Sequence, residues 1–284
     1  MRYIGFEKIV QTVESLCIAA NYELGDDVLA AFEQALKKES NPSAAKIIKQ
    51  LIENAKMAKD EKTPLCQDTG LAVVFIEQGT NVAVKCPAGQ TLLDAVDAGV
   101  KAGYEKGYLR KSVVAEPLNG RRNTGSNTPA VIHYSIVPGD KLKIDVLVKG
   151  GGCENKSQFK MFKPTAERNE IIEWVVDVVK EAGADACPPF IIGVGIGGNF
   201  ELSCLLSKKA LLRNLNSSNN DAFYARLEAD LLSAINAIGL GPQGLGGDTT
   251  ALACLVETAP CHIASLPVAV NIECHSHRHK STIL

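Results

Sequence analysis

No stretch of this sequence approaches the roughly 20 consecutive apolar residues needed to cross a bilayer, so a helical membrane protein is excluded. Neither sign of charge is in excess. Lys and Arg number 30 against 32 Asp and Glu, a formal net charge of −2, which gives no electrostatic reason for a nucleic-acid or membrane-surface partner. The opening residues, MRYIGFEKIV, hold an arginine but no apolar core and no small-residue cleavage site. No secretory signal is read there, and the expected location is the cytoplasm. Internal repeats, low-complexity tracts and clean linkers are also missing. What is present is ordinary globular composition: 284 residues, 46% hydrophobic and 22% charged. Disorder, coiled coil and collagen are therefore excluded, and the expectation is one domain spanning residues 1–284.

The spacing of apolar residues predicts helices over about 7–20, 26–38 and 41–59 at the N-terminal end. Asp26 and Asp27 suit the first turn of the second helix and Lys37 and Lys38 its last, while Asn41-Pro42 reads as cap and first helical residue of the third. TPLCQDTG is a breaker-rich loop, followed by the β-type runs LAVVFIE and NVAVK, and residues 90–107 read as a helix. PAVIHYSIV and KLKIDVLVK flank Pro138-Gly139-Asp140 and predict a hairpin. GGGCEN reads as a loop and 164–181 as a helix opened by Pro164 and Thr165; IIGVGIGG reads as a buried strand. Helices at about 199–213 and 220–237, the loop GPQGLGGDTT, and strands near 250–257 and 266–273 complete the chain. With no sustained βαβ alternation, the expected class is α+β: an N-terminal helical segment, mixed and antiparallel sheets, and packed helices.

Nine cysteines stand at 17, 66, 86, 153, 187, 204, 254, 261 and 274. The number is odd, the spacing irregular, and no C-x-x-C pair occurs, so zinc ribbons and ferredoxins are excluded. In a reducing compartment such thiols stay reduced, bind metal or react. Cys17, Cys204 and Cys254 have apolar neighbours and read as core; Cys86, beside Pro87, reads as a strand edge. Cys66 in PLCQDTG, Cys187 in DACPPF and Cys274 in NIECHSH differ, for each sits where backbone N–H groups and polar side chains can approach a sulfur. Spacings of 121 and 87 residues give no local logic for a shared site.

PLCQDTG, GGGCENK, CPPFIIGVGIGG, GPQGLGGDTT and CHIASLPVAVNIECH occur in that order. Together they resemble the α subunit of class I, iron–sulfur-dependent fumarate hydratase, with the L-tartrate dehydratase α subunit as close relative; the likeness runs over about 1–280. The resemblance implies an iron–sulfur hydro-lyase α-type fold and a [4Fe–4S] cluster held by Cys66, Cys187 and Cys274. Three thiolates leave one iron without a protein ligand, open to a substrate carboxylate and hydroxyl as a Lewis acid. Cys153 is read as filler beside Gly150, Gly151 and Gly152, whose lack of side chains lets main chain approach cluster or substrate, and Cys261 as structural.

Dehydrating a 2-hydroxy dicarboxylate needs a base for a carbon-bound proton, cations for two carboxylates and help for the departing oxygen. The resemblance implies catalytic roles for Asp68 and His262, and substrate contacts for Gln67, Arg110 and Gly151. Asp68 also has a plain structural reading, pinning its loop. The guanidinium of Arg110 suits bidentate carboxylate recognition. Arg121 and Arg122 read as surface charge, Lys156 as a solvated lysine, and the HSHRH tail as a solvated basic end. GPQGLGGDTT has no Gly-Lys-Ser/Thr ending and reads as a shaping loop, not a phosphate cradle.

In the family a β subunit, or a fused C-terminal half, supplies further carboxylate-binding residues and a threonine base. No such motif set occurs in this sequence. The expectation is an α subunit acting on a small dicarboxylate with a separate β subunit, as heterodimer or heterotetramer, and converting fumarate to L-malate reversibly. L-Tartrate dehydration and a non-catalytic iron–sulfur or thiol sensor are the alternatives.

Overall fold

The structure, a computed structural model, describes every residue from Met1 to Leu284. The elements begin with β1 (Arg2–Gly5), α1 (Phe6–Tyr22), α2 (Asp26–Lys38), α3 (Pro42–Glu61), β2 (Leu71–Gly79), β3 (Val82–Lys85) and α4 (Leu92–Lys106). They continue through β4 (Val131–Val137), β5 (Leu142–Lys149), α5 (Gly151–Glu154), β6 (Gln158–Phe162) and α6 (Arg168–Ala182). The last are β7 (Phe190–Gly197), α7 (Phe200–Ala210), α8 (Ala222–Asn236), β8 (Ala251–Ala259), β9 (Leu266–Glu273) and β10 (His279–Ile283). This is the α+β class expected from sequence. No helix is long and apolar enough to cross a membrane.

The chain forms two compact units. The first holds Met1–Gly25, Ala55–Gly151 and Arg278–Leu284; the second holds Asp26–Asn54 and Gly152–His277.

In the first unit a four-stranded sheet has the order β10-β5-β2-β4, and β1 pairs with β3 in a small parallel ribbon. The interior strand β2 is apolar on both faces: Ala72, Val73, Val74 and Ile76 are all buried. Its run AVVFI therefore shows no alternation, as expected of a strand covered on both sides. Helix α1 presents Ile9, Val13, Cys17 and Ala20 to the core, a 3.6-residue stripe that meets Val96, Val100 and Tyr104 of α4. Full burial of each large aliphatic here contributes about 1.5–3 kcal/mol. Helix α4 opens on a capping box, in which Thr91 Oγ accepts from Asp94 N and the Asp94 carboxylate accepts from Thr91 N.

The second unit has the sheet order β6-β9-β7-β8. Strand β7 is buried throughout, antiparallel to β9 and parallel to β8, with α7 and α8 forming the crossover. Its glycines let α7 lie directly on the sheet. A Cβ on Gly193 would sit 2.0 Å from Ser207 O, and one on Gly195 2.0 Å from Ser203 O. Helix α2 joins this unit through the Asp27 carboxylate, which accepts from Leu215 N at 2.9 Å.

Several expectations are corrected. The runs at β4 and β5 are not a hairpin: β2 lies between them, parallel to β4 and antiparallel to β5. Turn chemistry at Pro138-Gly139-Asp140 reverses the chain, but the longer apolar run of β2 takes the central place. GGGCEN is not a loop throughout, since Gly151–Glu154 makes one helical turn. The Asp68 carboxylate accepts from Gly151 N and so satisfies one otherwise open donor at its start. Helix α6 begins at Arg168 rather than Pro164, where the Glu170 carboxylate accepts from Glu167 N at 2.8 Å. The HSHRH tail is not a solvated basic end: Ser276, His277 and Arg278 are buried, and β10 follows on the edge of β5.

Candidate functional site

In the first unit, strand register brings distant motifs to one end of the sheet. Leu71 pairs with Lys149, so the residues before β2 meet those after β5. His279 pairs with Leu147, which delivers Arg278 to the same end. Cys66, Gln67 and Asp68 lie on the loop entering β2, and Gly151 follows β5.

That loop is fixed by groups on five segments. Asp68 Oδ1 accepts from Gly70 N and Oδ2 from Gly151 N, each at 2.9 Å. The Arg278 guanidinium, itself buried, donates to Asp68 O. The Tyr104 hydroxyl donates to Thr69 O and, at 3.1 Å, to Gly70 O. Burial holds the Tyr104 phenol far above its ordinary pKa, so it remains a donor at any working pH. Asn127 Nδ2 donates to Gly70 O at 3.1 Å while its Oδ1 accepts from Ser112 N at 2.6 Å. Thr69 Oγ donates to Arg110 O at 2.7 Å, which ties the Arg110 segment to the loop. Gly70 has φ +61° and a Cβ there would meet Lys149 O at 2.6 Å, so both conformation and packing require glycine.

The structure thus groups Cys66, Gln67, Asp68, Arg110 and Gly151. Cys66 is half-buried, and its thiol donates to Gln67 Oε1 at 3.4 Å. Gln67 and the Arg110 side chain are exposed, available to a ligand. Asp68 has both oxygens engaged by backbone, so its pinning role is built into the geometry. Arg121 and Arg122 are exposed, as read.

In the second unit the same device operates. Ile191 of β7 pairs with Glu273 of β9, so Cys187, just before β7, meets Cys274, just after β9. His275 N donates to Cys187 O at 3.2 Å. Cys187 is in the left-handed region, φ 57° and ψ 68°. The glycine-rich loop GPQGLGGDTT closes on the same place, with Gln243 N and Nε2 donating to Pro188 O at 2.8 and 3.0 Å. Its far end is held by Glu39, whose carboxylate accepts from Asp248 N and Thr249 N. It shapes the cysteine loop, as its sequence suggested.

Two groups at this end were given no chemical role by sequence reasoning. Cys153 Sγ lies 4.0 Å from Glu273 Oε1, and Cys274 Sγ lies 3.8 Å from the same atom. Gln158 pairs with Val270, and Ser157 Oγ accepts from Ile272 N, which lays the Cys153 segment along the end of β9. Only the register shows this, so the signal was absent from local sequence. Lys156 is ion-paired to Asp185 at 3.7 Å. Cys17 and Cys254 are buried, as read, while Cys204 and Cys86 are half-buried and Cys261 is exposed.

His262 is not at this end. It occupies the exposed loop between β8 and β9, where its Nδ1 accepts from Ala264 N at 3.1 Å, leaving the proton on Nε2 in the neutral ring. Cys187 and Cys274 lie at the opposite end of the same sheet, about 23 Å away along an eight-residue strand.

The donor set fits a soft or borderline metal. Thiolates are the protein ligands of iron–sulfur clusters, and loops rich in backbone N–H groups stabilise their charge. The donor atoms of Cys153, Glu273 and Cys274 lie within 4.8 Å of one another.

A family model described as Fumarate hydratase (Fumerase) matches residues 10–283. A Methanocaldococcus jannaschii protein provisionally named L(+)-tartrate dehydratase subunit alpha is 39% identical over 275 residues, 95% of each chain. The L(+)-tartrate dehydratase subunit alpha of Escherichia coli strain UTI89 is 31% identical over 273 residues, 95% of this chain and 89% of its own. That of strain K12 is 30% identical over 278 residues, 98% and 90% of the two chains.

Proposed function

The chain belongs to the fumarate hydratase (Fumerase) family, and we propose that it is the α subunit of an iron–sulfur hydro-lyase converting fumarate to L-malate reversibly. The observation that supports the hydro-lyase part of this reading is the pinned Cys66–Gly70 loop, which sets a cysteine, a carboxylate and the Arg110 segment beside Gly151. Cys66, Cys187 and Cys274 supply thiolates to a [4Fe–4S] cluster, which when bound offers a Lewis-acid iron to the substrate's hydroxyl and carboxylate.

The chain's own residues do the rest. The Arg110 guanidinium binds a substrate carboxylate, where a planar two-donor fork matches two oxygens. Gln67 is exposed beside Cys66, and its amide can donate to a substrate oxygen. Asp68 is held rigid by Gly70 N and Gly151 N and orients water or a proton at its carboxylate. Gly151 presents bare backbone beside Asp68, its N–H donating to Oδ2 at 2.9 Å. His262 is the proton carrier implied by its motif. Because it stands at the far end of its sheet, acting at Cys187 and Cys274 requires it to serve the site of a second copy of this chain. A β subunit completes the enzyme with further carboxylate-binding residues and the base; a site that takes His262 from a second copy of this chain requires the heterotetramer rather than the heterodimer.

A second reading is L-tartrate dehydration, favoured by the names of the relatives above. Anaerobic co-expression with a β subunit and turnover of fumarate, L-malate and L-tartrate separates the two. Tartrate turnover without fumarate turnover replaces the first reading by the second. Asp68→Asn is expected to abolish turnover while iron and sulfide content stay at wild-type levels. A complex with intact cluster and no turnover of any of the three substrates overturns the hydro-lyase reading and favours a sensor. Full activity from the α chain alone overturns the need for β.

A further inference from the structure

The three-cysteine set leaves out two groups that stand against one of its members. Cys153 is 3% exposed and Glu273 is fully buried. Their donor atoms are 4.0 Å apart, Cys274 Sγ is 3.8 Å from the same carboxylate oxygen, and all three atoms lie within 4.8 Å of one another. In a tetrahedral site with metal–sulfur bonds of about 2.3 Å and metal–oxygen bonds of about 2.0 Å, neighbouring ligand atoms are about 3.5–3.8 Å apart. Closure thus needs shifts of about 0.3–0.5 Å for the two sulfur–oxygen pairs and at most about 1 Å for the sulfur pair, within reach of side-chain rotation. Strand pairing holds the backbone in place: Glu273 ends β9, and the Cys153 segment is tied to β9 through Ser157 and Gln158.

We propose that Cys153, Glu273 and Cys274 bind a single divalent cation, zinc or ferrous iron, when the chain carries no cluster. Two thiolates and a carboxylate select such ions over magnesium and calcium, which prefer all-oxygen shells. Binding releases the two thiol protons to solvent and moves no electron. The fourth position takes water. The inference rests on the proposed function only through Cys274, whose sulfur cannot serve the cation and the cluster as a terminal ligand at once. The two metal states exclude each other, and a zinc-loaded chain resists cluster assembly.

The test uses the full chain, stripped of metal anaerobically and titrated with Co²⁺ alone. The expected result is one equivalent bound with sulfur-to-cobalt charge-transfer absorption and an intense tetrahedral visible band. Cys153→Ser and Glu273→Gln should each weaken binding at least tenfold, while Cys66→Ser and Cys187→Ser leave it unchanged. Far-UV circular dichroism checks that each variant folds. In the wild-type chain, Zn²⁺ should protect Cys153 and Cys274, but not Cys66 or Cys261, from alkylation read by peptide mass spectrometry; this arm needs no variant. Wild-type cobalt affinity in folded Cys153→Ser, loss of binding in Cys66→Ser or Cys187→Ser, or no zinc protection overturns the proposal. Iron and sulfide analysis after reconstitution reads the cluster separately. Cys153→Ser should reach the wild-type cluster content, and faster when zinc is present. A cluster that forms in a chain that binds no Co²⁺ sinks this inference and leaves the hydro-lyase reading standing; the reverse result does the opposite.

Discussion

Tyr104→Phe tests the claim that the Cys66–Gly70 loop is held by buried donors. The substitution removes one hydroxyl from a fully buried ring and leaves the shape intact, so no cavity opens. Gly70 O keeps Asn127 Nδ2 at 3.1 Å, but Thr69 O loses the Tyr104 donor. A lost bond of average net value costs about 0.5–1.5 kcal/mol, and a buried carbonyl left without its partner about 1–3 kcal/mol. We expect about 2 kcal/mol, measured by urea unfolding of the anaerobic chain, and a fall in Tm of about 4–8 °C. Tyr22→Phe is the control. Its hydroxyl donates to Gly107 O at 2.8 Å from a half-buried site away from the loop, and its loss should cost less than about 1 kcal/mol. Turnover of the reconstituted complex should fall for Tyr104→Phe and hold for Tyr22→Phe. Equal stability losses in the two variants, or a Tyr104→Phe loss below about 0.5 kcal/mol, would refute the reasoning.

Three further outcomes are expected. Gly195→Ala puts a methyl 2.0 Å from Ser203 O, backbone that cannot swing away; it should cost about 3 kcal/mol by urea unfolding, and a loss below about 1 kcal/mol would mean that α7 can lift off β7. Glu228, buried, accepts from Arg213 Nη1 at 2.6 Å, Val256 N at 2.8 Å and Asn219 N at 2.9 Å. Glu228→Gln removes the nearer carboxylate from Arg213 and leaves only Glu257 at 3.6 Å; it should destabilise by about 2 kcal/mol, with Arg213→Met in the same background recovering part of it. Burial pushes the Cys17 thiol from 9.0 up to about 12, so the folded chain keeps a proton that the unfolded chain releases above about pH 9. That contribution to stability is complete below pH 9 and declines as pH climbs from 9 toward 12. Unfolding midpoints measured across this range should fall less steeply in Cys17→Ala than in wild type; parallel slopes would contradict the assignment.

Helices were legible because each carries its own signal. The stripe Ile9, Val13, Cys17, Ala20 is local, and the structure uses it as read. Strand partners carry no such signal. VIHYSIV and KLKIDVLV stand on either side of Pro138-Gly139-Asp140, and everything within ten residues says hairpin. The competitor is LAVVFIEQG, more than fifty residues upstream, apolar on both faces, and able to bury its whole length only between the other two. Strand β10 was missed for a related reason. Its sequence HKSTI is polar and short, as suits an edge strand, and its place depends on β5. The buried Arg278 ahead of it reads as surface charge until its acceptor, Asp68 O, is known.

The same physics explains which parts of the site were readable. Motif resemblance named residues, but register decides which of them meet. One antiparallel pairing, Leu71 with Lys149, sets Asp68 against Gly151 across more than eighty residues of chain. Another, Ile191 with Glu273, sets Cys187 beside Cys274, and Gln158 with Val270 adds Cys153, a residue whose glycine-rich surroundings suggested only filler. A slip of one residue in either pairing would turn the side chains to the other face and scatter these groups. His262 shows the converse. Twelve residues separate it from Cys274, a distance that in a helix is about 18 Å and in a compact loop much less. Here the intervening residues are spent on β9, at about 3.3 Å each, so a short interval in sequence becomes the full length of the sheet. For the proposed role of His262 at Cys187 and Cys274, the histidine has to come from another copy of the chain. His262→Asn mixed with Cys187→Ser should therefore restore part of the turnover that each variant loses alone, whereas a histidine acting within its own chain would give no recovery on mixing.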